Sequence, residues 1–252
     1  MVQSPCTGSG RVFAGPNMNY PRRYDGASVM YAPDKIIAIG GNAAPDRAET
    51  GTNKLITNTA ETIDLTSANP TWQYTAPMRY PRYRPNATLL PDGTVLVTGG
   101  SSQQDNANGN TLQGAVYAAE LWNPKTGQWT ELSSMSVPRL YHSTAILLPD
   151  ARVLVAGGGE PQGTGEPKGT IHDNMQIFSP PYLFRGPQPV ISSAPSAAHY
   201  GDTISVSSPD ASSITAINLM RPGSTTHGFN MTQRIVPVSF TRGPNDTRGQ
   251  IA

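Results

Sequence analysis

Cysteine is almost absent from this chain of 252 residues: Cys6 stands alone. A single thiol excludes an internal disulfide and a thiolate-rich metal cluster, so a metal bound here takes His, Tyr or carboxylate donors. Charge is scarce as well, at 14% of residues, and it balances: 18 Lys and Arg against 17 Asp and Glu leave a net charge of +1. No basic run exists that would track a phosphate backbone, which argues against nucleic acid and anionic membrane as partners. No window approaches the roughly 18 consecutive apolar residues of a membrane-crossing helix. The opening Met1-Val2-Gln3-Ser4-Pro5-Cys6 lacks the basic start and apolar core of a secretion signal.

What the chain has in quantity is turn residues, 25 Gly and 24 Pro. With so little Glu, Lys and Ala to build long helices, an all-β fold is expected. The length allows one substantial core, or one domain and part of a second. Asp34, Asp92 and Asp150 each follow a Pro and lie 58 residues apart. Each Pro-Asp turn stands between two apolar stretches, the second ending in Gly-Gly: Gly40-Gly41, Gly99-Gly100 and Gly157-Gly158. This reads as a repeated β-hairpin. Glu61 to Leu65 with Trp72 to Tyr74, and Ala119 to Trp129, supply two further strands each. Four strands per period with a double Gly and a late Trp is the layout of a kelch-type propeller blade.

The repeats run near 20–76, 77–134 and 135–188, so residues 1–188 read as a partial kelch β-propeller of about three blades. Closed propellers need about four to eight blades. Beyond the Pro-rich link Gly186 to Pro189 the period stops, and residues 189–252 read as an immunoglobulin-like β-sandwich. Its strands are expected at Asp202 to Val206, Ser213 to Leu219 and Ile235 to Phe240. A full sandwich needs about seven strands in about 100 residues, so this domain is expected to be incomplete.

Candidate chemistry collects in the third repeat, where Tyr141-His142 precedes the apolar strand. Counted from the Pro-Asp turns, the matching pairs are Asp25-Gly26 and Tyr83-Arg84, so the imidazole does not recur with the repeat. His227 lies in Met220 to Asn230, which reads as a turn between two sandwich strands. Imidazole with phenol makes a mixed N/O set that copper accepts; the alternative is that Tyr141 and His142 merely bond loop backbone. His172 and His199 read as loop residues, Trp122 and Trp129 as packing residues, and the recurrent Pro-Arg dipeptides at 21–22, 81–82 and 138–139 as structural. Glycosylation triplets occur at Asn86, Asn230 and Asn245.

The run Pro138 to Ser143, the triple Gly157-Gly158-Gly159, the Gln176 to Leu183 junction and Gly223 to His227 with Gln233-Arg234 resemble, in the same order, the C-terminal half of galactose oxidase and glyoxal-oxidase-like enzymes. The resemblance implies a copper ion on a propeller axis, with Tyr141 as axial phenol and base, His142 as a ligand, and His227 as a ligand delivered by a finger of the early-set sandwich domain. It implies oxidation of a primary alcohol or aldehyde by O2 with release of hydrogen peroxide, and an extracellular setting. The family's second redox store, a tyrosine cross-linked to a cysteine, comes from earlier blades. Neither Cys6 nor Tyr83 matches it, so the chain alone is expected to be inactive. The competing expectation is a kelch-type module that binds carbohydrate or protein without catalysis.

Overall fold

The computed structural model describes residues 14–43, 55–103, 114–159, 171–226, 229–243 and, for the backbone alone, 246–250. The fold is all-β, as expected. Among the described residues no helix is long and apolar enough to cross a membrane. Three antiparallel sheets follow one another. The first is built from β1 (Ala27–Ala32), β2 (Lys35–Ile39), β3 (Ala60–Asp64) and β4 (Gln73–Tyr74), in that order. The second repeats the pattern with β5 (Asn86–Leu89), β6 (Val95–Thr98), β7 (Ala118–Asn123) and β8 (Gln128–Ser134). The third holds β9 (Ser143–Leu147), β10 (Val153–Gly157) and β11 (Met175–Phe178); among the described residues it has three strands, where the repeat leads one to expect four.

Each sheet starts with the expected hairpin. In the second, Oδ1 of Asp92 accepts from the Thr94 N–H at 3.0 Å and its hydroxyl at 2.6 Å, which closes the turn and fixes the β5–β6 register. The sheets stack on two apolar clusters. One joins the first and second sheets through Val29, Ile37, Ile39, Leu89, Val97 and Trp122. The other joins the second and third through Leu90, Leu96, Met135, Ala145, Val153 and Val155. Trp122 and Trp129 pack as expected and also tie neighbouring sheets, their indole N–H groups donating to Thr75 Oγ1 at 3.1 Å and Ala76 O at 2.8 Å.

The double glycines have a physical cause in sheet-to-sheet contact. The N–H of Gly41 donates to Arg82 O and that of Gly100 to Arg139 O, both at 2.8 Å. A Cβ on Gly99 would stand 2.4 Å from Arg139 O, so the next sheet comes this near only to glycine.

Buried arginines lock each sheet from inside. In the second sheet Arg82 donates to Glu120 Oε2 from Nε at 3.1 Å and Nη2 at 2.7 Å, to Gly99 O at 2.7 Å and to Ala118 O at 2.7 Å. In the first, Arg23 does the same with Glu61, at 2.6 Å, and with Gly40 O. The structural arginine of the first repeat is therefore Arg23 and not the Arg22 of the Pro-Arg dipeptide, because the chain enters that sheet one residue later. Burial opposes ionisation of Glu61, yet the Tyr20 N–H, the Arg23 guanidinium and the Asn19 N–H hold its carboxyl below the usual range.

The third sheet departs from this pattern. Its register places Gln176 opposite Val155, where Glu120 stands opposite Val97. Arg139 instead donates to Gly157 O, Asn174 O and Asn174 Oδ1. Arg139 Nε and Gln176 Oε1 are buried without a hydrogen-bond partner among the described residues. Gln176→Glu is therefore expected to stabilise the chain by about 1.5–3 kcal/mol, the worth of a hydrogen bond to a charged group. Urea denaturation checks it, and a destabilised variant would contradict it.

After a short 3-10 turn at Pro181–Phe184 the chain enters the sandwich: β12 (Thr203–Ser207), β13 (Ile217–Arg221), β14 (Ser224–Thr226), β15 (Phe229–Met231), β16 (Arg234–Gly243) and β17 (Asp246–Gln250). Four of these form one sheet in the order β12-β17-β16-β13, while β14 and β15 pair as a separate hairpin. The stretch read as a turn between two strands is thus a hairpin of its own. β13 begins four residues later than expected, because Asp210 and Ser213 close a turn there, with Ser213 Oγ donating to Asp210 O at 2.8 Å.

Candidate metal centre

The turn before each inner strand, β1, β5 or β9, is left-handed at a residue other than glycine. The φ angle is 50° at Asp25, 58° at Arg84 and 61° at His142. This region disfavours side chains by roughly 1–2 kcal/mol per residue. Three neighbouring turns retain side chains there, and the side chains differ: a carboxylate, a guanidinium and an imidazole.

This alignment corrects the sequence count in the first repeat, where the structural counterpart of Tyr83-Arg84 is Tyr24-Asp25 and not Asp25-Gly26. The N–H groups of Tyr24 and Tyr83 make equivalent bridges, to Asn42 O at 2.9 Å and Ser101 O at 2.8 Å. In the third repeat Leu140 follows the buried arginine, and Tyr141 is an additional residue between it and the left-handed position. The turn is closed by the Ser143 N–H donating to Leu140 O at 3.0 Å. Leu140 is buried, Tyr141 is half-buried and His142 is exposed.

The side chains of these turns meet. The Tyr141 and His142 rings stack with centroids 3.7 Å apart at an interplanar angle of 30°. The Arg84 Cζ lies 3.8 Å from the Tyr141 ring centroid and 4.8 Å from that of Tyr83. The Tyr141 ring therefore has an imidazole and a guanidinium both within 4 Å of its centroid. Arg84 Nε donates to Asp25 Oδ2 at 2.7 Å. Tyr83 is buried, and burial pushes its phenol well above the usual range.

The sandwich domain reaches the same inner strands. Thr144 Oγ1, on β9 two residues after His142, donates to Thr225 Oγ1 on β14 at 2.8 Å. On β15, Asn230 Nδ2 donates to Ala145 O at 3.5 Å. Gln233 is buried and grips β5 by its amide, accepting from the Leu89 N–H at 2.8 Å and donating to Ala87 O at 3.0 Å. The sequence did not show that Thr144 meets Thr225 or that Asp25 meets Arg84, since each contact joins residues that are remote in the chain.

His227 lies outside the described residues, as do Gly228 and Cys6. The strands flanking His227 are described, their last pair being Thr226 with Phe229. Among the described residues no three His, Cys, Asp or Glu side chains gather as a metal site. The described donors are one phenol and one imidazole on adjacent residues, a set whose chemistry fits copper. His199 is exposed beside Asp202, as the sequence suggested, and the His172 N–H donates to Gly158 O at 3.0 Å. The Asn86 triplet is not a glycan site in the folded chain, because Asn86 is buried with Nδ2 donating to Ser143 Oγ at 2.9 Å.

Residues 13–182 match the family model for the glyoxal oxidase N-terminus. The chain belongs to the glyoxal oxidase family. Residues 188–251 match the galactose oxidase-like early set domain. Among curated relatives, a galactose oxidase of Gibberella zeae is 31% identical over 224 residues, covering 86% of this chain and 31% of its own length. The aldehyde oxidase GLOX of Vitis pseudoreticulata is 31% identical over 242 residues, covering 88% of this chain and 45% of its own. A solved fungal alcohol oxidase of the AA5 family, in complex with copper, superposes with a TM-score of 0.76 at 30% identity, over 91% of this chain and 48% of that one. The chain therefore spans less than half the length of these glyoxal and galactose oxidase relatives.

Proposed function

We propose that this chain supplies the phenol and imidazole half of a copper site in an oxidase that converts a primary alcohol or aldehyde with O2. In this reading the three sheets are successive kelch-type propeller blades. The proposed ligands are Tyr141 and His142 from the third sheet and His227 from the β14–β15 hairpin. The observation that carries it is the Thr144–Thr225 bond, which fastens that hairpin to β9 beside the Tyr141–His142 turn. Bound copper would supply a Lewis-acid and one-electron centre. Tyr141 takes the substrate's hydroxyl proton at Oη, a transfer that hydrogen-bonding distance and a fixed ring make efficient. Arg84 and His142 both lie against the Tyr141 ring and help to hold it. Oxidation of an alcohol to an aldehyde, or of an aldehyde's hydrate to a carboxylic acid, releases two electrons and two protons, and O2 takes up both pairs as hydrogen peroxide. The reading carries an extracellular setting with it, in keeping with the family resemblance.

Copper alone changes by one electron, and the cysteine-linked tyrosine that would store the second has no counterpart among the described residues. The copper-loaded chain is therefore expected to release little or no peroxide from galactose, glyoxal or methylglyoxal in a peroxidase-coupled assay. Rapid release would overturn the half-site reading. Carbohydrate binding that survives chelation, in a chain with no copper affinity, would favour the binding module instead.

A further inference from the structure

We infer that Arg84 and Asp25 are positioning residues for the Tyr141 phenol, a support that runs across three sheets. The inference rests on Tyr141 being the phenol of the proposed copper site. A residue that acts as both ligand and base needs its ring held, because outer partners fix first-shell orientation. The turn around Tyr141 cannot do this alone: the third repeat has one residue more than the other two between buried arginine and left-handed position, and that residue is Tyr141.

The fixing comes from the neighbouring sheet. Arg84 occupies the same left-handed position in the second sheet as His142 in the third, with φ of 58° and 61°. Its guanidinium Cζ lies 3.8 Å from the Tyr141 ring centroid and 4.8 Å from that of Tyr83. That guanidinium is itself held from the first sheet. Asp25 takes its Nε–H at 2.7 Å, and the Arg84 backbone N–H donates to Asp25 O at 2.9 Å, so side chain and backbone are both tied to one residue. Tyr24 stacks on Tyr83 with ring centroids 6.3 Å apart. Arg84 is 8% exposed, so solvent offers its guanidinium little competition. The arrangement needs a planar, permanently charged group that can stack and accept a fixed partner together; a lysine ammonium at this position has no face to stack.

Blade cohesion alone predicts that removing Arg84 changes stability and nothing at the metal, which separates the two roles. The test uses the 252-residue chain loaded with copper(II), read by visible absorption and electron paramagnetic resonance, in the parent and in Tyr141→Phe, Arg84→Ala, Arg84→Lys and Asp25→Asn. Tyr141→Phe is expected to remove the phenolate contribution to the copper spectrum. Arg84→Ala and Arg84→Lys keep the metal but shift its hyperfine pattern and lower affinity about tenfold, the low end for loss of an outer partner. Asp25→Asn takes the charge from the partner of Arg84 while keeping the backbone bond, and gives a smaller shift in the same direction, which keeps the inference testable if Arg84→Ala does not fold. Spectra and affinities unchanged in the Arg84 and Asp25 variants, with Tyr141→Phe altered, overturn this inference and leave the copper site standing. A parent that binds no copper, or a Tyr141→Phe spectrum identical to it, overturns the copper-site reading and this inference together.

Discussion

Glu120→Ala is expected to lower the stability of the chain by about 3–5 kcal/mol, the cost of removing one partner from a buried ion pair. Arg82 and Glu120 have side chains 0% and 1% exposed, so no water replaces the lost carboxylate. The variant strands the Arg82 Nε–H and also frees the Arg79 N–H, which donates to Glu120 Oε1 at 2.6 Å. Arg82 further holds the carbonyls of Gly99 and Ala118, so its movement disturbs both inner hairpin and third strand. For a domain of this size the loss corresponds to a fall in melting temperature of about 10 °C. Glu120→Gln costs less, since the third sheet accommodates Gln176 at the equivalent place. A change of under about 1 kcal/mol in Glu120→Ala, within the range of exposed pairs, would contradict the burial argument. Glu61, held below its usual carboxyl range, contributes stability above the unfolded value of about 4.3 and loses it as pH falls through its depressed folded value.

His142→Ala is expected to lower copper(II) affinity by more than the 10–100-fold that outer partners cost, because it deletes a donor rather than its support. A left-handed turn at His142, closed by Ser143 on Leu140, carries two donors on consecutive residues at the head of β9. Alanine at φ 61° keeps the same backbone, so the fold survives and the loss is specific to the imidazole. Calorimetric titration of parent and variant reads the difference. Equal affinities would place the metal elsewhere or nowhere.

Much of this architecture was legible in the sequence because its determinants are local. Pro-Asp turns repeat every 58 residues and double glycines every 58 or 59, and the glycines answer to close approaches such as Gly99 against Arg139 O. Trp122 and Trp129 read as packing residues since large aromatics leave few alternatives. Fixed-period counting failed where one repeat gains or loses a residue: Arg23 replaced Arg22, Tyr24-Asp25 replaced Asp25-Gly26, and Tyr141 proved to be additional. The β14–β15 hairpin was hidden because its strands are three residues each and β14, Ser-Thr-Thr, carries no apolar alternation. At the candidate site, Tyr141 and His142 stood out by breaking the repeat, whereas Arg84, Asp25, Thr144 and Thr225 matter through contacts between sheets or domains. Such contacts leave no periodicity to read.

In the proposed function two parts of the chain, the third sheet and the sandwich hairpin, share one copper ion. The most direct measurement is a copper(II) titration of the 252-residue chain followed by electron paramagnetic resonance, with His142→Ala and His227→Ala beside it. The expected result is a single nitrogen-coordinated copper that weakens in both variants, each losing one nitrogen from the hyperfine pattern. Copper bound with the same affinity and the same spectrum in His227→Ala as in the parent would contradict it.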